Sequence, residues 1–182
     1  LERSATTREI VTSPTRAIVS RYLPGAAPPI RLSRIDLSDP TRVYSLPFAG
    51  VEVRQLAVDA QASQLYYVDR GYYDVPGRGP VIKTGSIEDP RLLSNVPIDI
   101  KYPEAIAVAV DPRVGRSLLY IGDAQGIWSY DPSDQNLTHR LGTPYTQDEF
   151  RRLKGDPLRQ IAYWTGARSL DSTYSTKVYR AR

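Results

Sequence analysis

The sequence predicts an all-β fold, and its composition and internal repetition are the observations behind this prediction. The 182 residues include 15 prolines, 12 glycines and 13 tyrosines, against two phenylalanines and no methionine. This balance favours short strands and tight turns over long helices. A pattern of about 45 residues also recurs along the chain, and such a period in an all-β protein is typical of β-propeller blades.

The repeated unit is an apolar strand that ends at an Asp turn, followed by an apolar and aromatic strand that ends at a second Asp. The second Asp is present in the two middle copies. The first copy is degraded and has Ser20 at this position, and the last copy has Gly166. In chain order, the copies span residues 10–21, 56–69, 107–123 and 150–166.

An alternating hairpin with an Asp-rich turn follows each aromatic strand and completes a four-stranded blade. The fourth hairpin stops near Arg180, one strand short. Residues 147–154 predict a solvated connection with a short helical turn that leads into the last blade. The chain is therefore predicted to be a single propeller region over 1–182, with blades at about 8–50, 51–100, 101–145 and 146–182.

A run of about four blades leaves two open ends, because a blade cannot bury both of its apolar faces alone. Stable propellers close their ring, since open strand edges invite further pairing. Three arrangements meet this need: part of a larger, six-bladed ring, half of a ring completed by a second chain, or a small ring closed by the N-terminal segment. We favour the first two, so a protein partner or an additional chain is expected.

The charge pattern and composition exclude several classes of function. The 24 basic residues are interspersed with 20 acidic ones, and the net charge is +4, so we expect no nucleic-acid binding. No apolar run approaches the roughly 20 residues of a membrane helix, and no direct membrane insertion is expected. The absence of cysteine excludes disulfides and thiolate metal sites. Residues 1–5 lack both an initiator Met and an apolar signal core, which indicates a processed or excerpted chain.

Acidic residues recur at the strand ends about once per repeat, and this repetition predicts turn caps. A catalytic centre is usually asymmetric, whereas a repeated Asp is explained by acceptance of backbone N–H bonds in a turn. The predicted structural caps are Asp59, Asp69, Asp111, Asp123 and Asp156.

The alternative class of function is a propeller hydrolase with a central divalent metal. A central Ca²⁺ needs several converging oxygen ligands, and Glu104 with Asn95 or Asp99 would be the candidates. His139 is the only histidine, which excludes a histidine cluster, and the chain has no G-x-S-x-G elbow or phosphate-binding glycine loop. We therefore expect no enzymatic activity, no catalytic or metal-binding residues and no cofactor, with Ca²⁺ reserved for the alternative.

An insertion at residues 71–80 is the predicted site of partner contact. It is rich in Gly and Pro, and it carries Tyr72, Tyr73 and Arg78, residue types that are enriched where loops bind proteins. A separate motif, Asn136-Leu137-Thr138, satisfies the N-x-[ST] rule. It predicts glycosylation of Asn136 in a secreted protein.

The aromatic strands at residues 67–69, 120–123 and 163–166 resemble the YWTD repeat of low-density-lipoprotein receptor class B propellers. The resemblance is strongest over residues 55–166. It implies a six-bladed, non-enzymatic propeller that is extracellular or on the cell surface and acts in adhesion, assembly or ligand binding. It also implies that the chain is a glycoprotein and that it binds protein partners.

Two other propeller families share part of this pattern. Residues 28–37 and 56–59, together with 120–131, resemble the yellow and major royal jelly proteins, and NHL-type propellers are similar. All three resemblances imply a propeller that binds ligands or partners.

Overall fold

A computed structural model describes the backbone of residues 6–22, 30–45, 53–71, 79–88, 93–113, 115–142, 149–156, 161–170 and 173–181. In these ranges the chain forms β-strands and no helix, which confirms the predicted all-β class. It follows that no described helix is available to cross a membrane.

The first compact unit, Leu1–Val96, holds two antiparallel four-stranded sheets whose strands are neighbours in chain order. The first sheet consists of β1 (Thr6–Thr12), β2 (Arg16–Tyr22), β3 (Ile30–Asp36) and β4 (Val43–Ser45). The second consists of β5 (Val53–Asp59), β6 (Gln64–Asp69), β7 (Val81–Ser86) and β8 (Ser94–Asn95).

The core of this unit lies between its two sheets. Ile18 and Leu32 of the first sheet share a buried cluster with Leu56, Leu65 and Tyr67 of the second. Side chains alternate between the faces of a strand, so this packing also fixes which residues of β2 and β3 point towards the second sheet.

The second compact unit, Pro97–Arg182, holds a four-stranded and a three-stranded antiparallel sheet. The third sheet of the chain consists of β9 (Ala105–Asp111), β10 (Arg116–Asp123), β11 (Gly126–Asp131) and β12 (Asn136–Gly142). The fourth consists of β13 (Glu149–Asp156), β14 (Ile161–Leu170) and β15 (Thr173–Ala181). Leu153 of β13 packs with Ala105, Ala107 and Ile127 of the third sheet.

The four sheets follow the spacing of the sequence repeat. They span residues 6–45, 53–95, 105–142 and 149–181, where the sequence predicts blades over 8–50, 51–100, 101–145 and 146–182. In the described residues the last sheet has three strands, one fewer than the others.

The helical turn predicted within residues 147–154 is wrong, because Glu149–Asp156 is the strand β13. Its pairing with β14 shifts register between Phe150 and Arg152, so Arg151 is an extra residue in the strand. Such a bulge adds one residue to the strand and breaks the alternation of its side chains between the two faces of the sheet. A strand prediction that relies on a period of two residues therefore misses β13.

Candidate partner-binding surface

The repeat aspartates accept backbone hydrogen bonds where the strands end. Asp59, Asp69, Asp111 and Asp123 are all buried, and Oδ1 of each is the acceptor. Asp156 is the last residue of β13, and its carboxylate lies outside the described side chains. The N–H donors are those of Gln61 and Ala62 to Asp59, Gly71 to Asp69, Arg113 to Asp111, and Gln125 and Gly126 to Asp123, at 2.9–3.2 Å.

Further aspartates cap turns in the same way, and in two of them a Ser two residues on supplies both donors. Asp36 accepts from the N–H and hydroxyl of Ser38 at 3.0 and 2.7 Å, and Asp131 accepts from those of Ser133 at 3.0 and 2.6 Å. The signal for them in the sequence is Asp-x-Ser, since a hydroxyl two residues on can bond the same oxygen as the N–H. The hydrogen bonds from Ser38 lower the pKa of Asp36, so this cap is held in its ionised form.

The Asp111 cap carries an additional ion pair. Arg113 donates from Nε and Nη2 to the two carboxylate oxygens at 3.1 and 2.7 Å. This hydrogen-bonded guanidinium is the main reason that the pKa of Asp111 lies below its ordinary value. The carboxylate therefore serves the turn as an anion with a fixed partner.

The predicted partner residues Tyr72, Tyr73 and Arg78 lie outside the described residues. The strands on either side of them are described, and their register pairs Asp69 with Val81 at the end of the β6–β7 hairpin. The connection therefore leaves and re-enters the second sheet at neighbouring positions.

The residues considered for a metal do not form a described cluster. Asn95 and Asp99 are exposed and Glu104 is half-buried. Asn95 belongs to the first unit, and the other two belong to the second. Within the described ranges, no group of three or more His, Asp or Glu residues could hold a metal ion.

His139 lies on β12 and is exposed, as its sequence position predicts. Its ring centroid is 4.5 Å from that of Trp128 on β11, and the two planes are inclined at 58°. Next to it, Nε of Arg140 donates to the Ser129 hydroxyl at 2.6 Å. The histidine is therefore an aromatic neighbour of Trp128 on the surface of the third sheet.

Large apolar side chains are exposed around β4. Leu37, Val43 and Tyr44 are 44%, 47% and 44% exposed. The strand pairs with β3 on one side, and no strand of the described chain pairs its other side. We call Arg34, Leu37, Val43 and Tyr44 the β4 surface.

Arg34 connects Tyr44 of β4 to the residues that follow β7 of the second sheet. The register places it opposite Tyr44, and its guanidinium carbon is 4.6 Å from the centre of that ring. Its Nη1 also donates to the carbonyl oxygens of Ile87, at 3.2 Å, and of Glu88. The cation therefore has a fixed position beneath an exposed aromatic ring.

A salt bridge next to this contact connects the same two sheets. Nη1 of Arg16 lies 3.1 Å from Asp36, and Nη2 lies 3.3 Å from Glu88. This arrangement could not be predicted from sequence, because Arg16 and Arg34 are separated from Glu88 by more than one strand hairpin and no local motif connects them.

Chemically, the β4 surface is suited to binding. Its aromatic ring and aliphatic side chains provide apolar contact area, and its guanidinium provides directed hydrogen-bond donors. Tyr and Arg are residue types enriched in protein interfaces. Of its four residues, Tyr44 alone carries a hydroxyl group.

Comparison with known proteins identifies the fold but no family. No protein-family model matches the chain, and no curated protein matches its sequence. Solved structures do match, and a chain of the nidogen/laminin complex superimposes with a TM-score of 0.60 and 12% identity, over 89% of this chain and 58% of that one.

Two further structures are of similar likeness. A gluconolactonase from Xanthomonas campestris has a TM-score of 0.62 and 15% identity, over 88% of this chain and 54% of that one. The β-propeller domain of the trilobed protease from Pyrococcus furiosus has a TM-score of 0.56 and 10% identity, over 99% and 55%. The predicted β-propeller fold is thereby confirmed, and the chain spans little more than half the length of each of these structures.

Proposed function

We propose that this protein is a non-enzymatic propeller scaffold that binds a protein partner through the β4 surface. The observation that carries the proposal is the exposure of Tyr44 against a guanidinium that is already held in place. Val43 at the adjacent position of the same edge strand and Leu37 just after β3 are also exposed. Tyr and Arg are among the residue types that supply most of the binding energy in protein interfaces.

The fixed position of Arg34 favours binding for an entropic reason. A long side chain that becomes ordered on binding costs about 0.5–1.5 kcal/mol. Arg34 is ordered beforehand by the carbonyl groups of Ile87 and Glu88 and by the Tyr44 ring, so a partner would meet this part of the surface with little further loss of freedom.

The likeness to a chain of the nidogen/laminin complex supports a protein as the partner. The YWTD-like strands at 67–69 and 120–123 support an extracellular or cell-surface propeller of the receptor type. The span of little more than half of the matched structures supports completion of the ring by a further segment or a second chain.

The β4 surface can be tested with a photo-reactive benzophenone amino acid. It would replace Tyr44 in one variant and Tyr102 in the other. Tyr102 is a matched control because it is 45% exposed and also has a cation, Lys101, over its ring at 5.3 Å. In an extract of the producing organism, we expect a discrete protein adduct from position 44 and not from position 102. Tyr44→Ala should then weaken binding of the identified protein in purified form, and equal adducts from both positions would contradict the proposal.

The alternative is a metal-dependent propeller hydrolase, and the likeness to a gluconolactonase favours it. Its test is metal content and lactone hydrolysis of the purified protein after incubation with Ca²⁺. A stoichiometric ion that is lost in Glu104→Gln, together with turnover that depends on it, would establish the enzyme and overturn the scaffold.

A further inference from the structure

The net positive charge of this protein lies in the last fifth of its sequence. Residues 149–182 include eight basic and three acidic residues, whereas residues 1–148 include 16 basic and 17 acidic ones. The fourth sheet therefore belongs to a segment of charge +5 in a chain whose remainder has a charge of −1. A local excess of positive charge attracts a partner with negative charge.

The register of the fourth sheet brings the basic positions together. Tyr163 on β14 lies between Lys154 on β13 and Arg180 on β15, and the next row of the same face joins Arg152 to Thr165. Positions two apart on a strand share a face. Three basic positions therefore lie around a tyrosine and a threonine on one side of the sheet, which we call the basic face.

The opposite face of this sheet is the one that packs. Leu153, one position away from Lys154, is 1% exposed and belongs to the cluster with Ala105, Ala107 and Ile127. Lys154 itself is exposed and Tyr163 is half-buried. The third sheet thus covers one side of the fourth, and the described residues of the second unit leave Lys154 on the other side open to solvent.

We propose that the basic face docks a protein surface rich in Asp and Glu. Neighbouring strands are about 4.8 Å apart, so Lys154 and Arg180 stand about 10 Å apart with Tyr163 between them. Carboxylates on a facing protein surface can pair with the exposed Lys154, and the register brings a further basic position, Arg180, to the same row. Basic and aromatic residues are typical of protein interfaces. The inference rests on the proposed function in requiring a protein partner, but it uses a surface that shares no residue with the β4 surface.

The test uses fluorescein-labelled poly-L-glutamate as the acidic probe and measures its binding by fluorescence anisotropy. Lys154→Glu is the test variant, and Lys101→Glu is the matched control because it reverses the charge of another exposed lysine of the same unit. We expect Lys154→Glu to weaken binding about tenfold, Lys101→Glu to change it less than about twofold, and added salt to weaken binding to the native protein.

A second variant and a second probe keep the test decisive. Arg180→Gln removes a charge from the same row and should weaken binding in the same direction, with circular dichroism to show that each variant is folded. Absence of poly-L-glutamate binding, equal weakening by Lys154→Glu and Lys101→Glu, or Lys154-dependent binding of heparin alone would overturn the proposal. The cross-linking result at Tyr44 is independent of all three outcomes, so failure of this inference and failure of the proposed function can be told apart.

Discussion

The indole nitrogen of Trp128 donates a hydrogen bond to Oδ1 of Asp123 over 3.0 Å. The same oxygen accepts the N–H groups of Gln125 and Gly126, which form the turn between β10 and β11. One carboxylate therefore closes a turn and also fixes an aromatic side chain whose ring contacts His139. In the third sheet the repeated cap therefore also orients an aromatic side chain.

Replacement of Asp123 by Ala is expected to lower the free energy of unfolding by about 1–3 kcal/mol, because three donors lose a buried acceptor. Asp123→Asn keeps an oxygen at this position and should cost less. The measurement is urea unfolding followed by tryptophan fluorescence. Asp134→Ala is the control, since this exposed residue accepts one backbone N–H, from Asn136, and its other contact is an exposed one with Arg116 at 3.3 Å. An equal loss in Asp123→Ala and Asp134→Ala would refute a special role for Asp123.

Leu153→Ala is expected to lower the free energy of unfolding by about 2–5 kcal/mol, because it leaves a cavity in the cluster between the third and fourth sheets. Lys154→Ala, one position along the same strand, should stay within about 0.5 kcal/mol of the native protein because its side chain is exposed. Chemical denaturation of the two variants in parallel gives both values. Similar losses in the two would show that the fourth sheet does not pack through its Leu153 face.

Asp111→Asn is expected to make stability less dependent on pH. The pKa of Asp111 is lowered in the folded protein, so its stabilising effect is present above the ordinary value of about 3.9 and is lost as the pH falls through the folded-state pKa. The variant should thus be less stable than the native protein at pH 7, and the difference should close below about pH 4. Urea unfolding at a series of pH values measures this. Asp99→Asn, a change at an exposed residue, serves as control, and a constant gap between Asp111→Asn and the native protein would argue against the ion pair with Arg113.

Secretion of the protein from eukaryotic cells is expected to attach a glycan to Asn136, which is exposed at the first position of β12. The predicted sign is a band of higher apparent mass that amidase treatment returns to the unmodified position. Asn136→Gln and Thr138→Ala should both abolish the shift, whereas Asn95→Gln, at an exposed Asn outside any such motif, should not. Secreted protein that shows no shift would refute the prediction.

The first two strands of the third sheet could be predicted from sequence because each of them contains an apolar run closed by a residue with turn chemistry. Ala105–Asp111 and Arg116–Asp123 both end at an Asp whose carboxylate bonds the next turn. Glu149–Asp156 could be placed only through the repeat, which ends a strand at Asp156, because the bulge at Arg151 interrupts the alternation that would predict the strand locally.

The β4 surface was beyond the reach of sequence for two physical reasons. An alternating strand predicts one buried and one exposed face, but β4 has only three residues at a sheet edge, and Val43 and Tyr44 are exposed on opposite faces. The position of Arg34 depends on carbonyl groups of Ile87 and Glu88 in another sheet. Carbonyl groups are present at every residue, so their use as acceptors leaves no mark in the sequence.

The pairing of Asp69 with Val81 has a consequence for how this fold can vary. Because both ends of the connection are held at adjacent positions by the ladder between β6 and β7, a change in its length need not move either strand. Doubling the length of a flexible connection costs only about 0.6 kcal/mol in closure entropy. The second sheet therefore offers a permissive point for grafting a foreign recognition peptide, where new specificity could be gained without redesign of the scaffold.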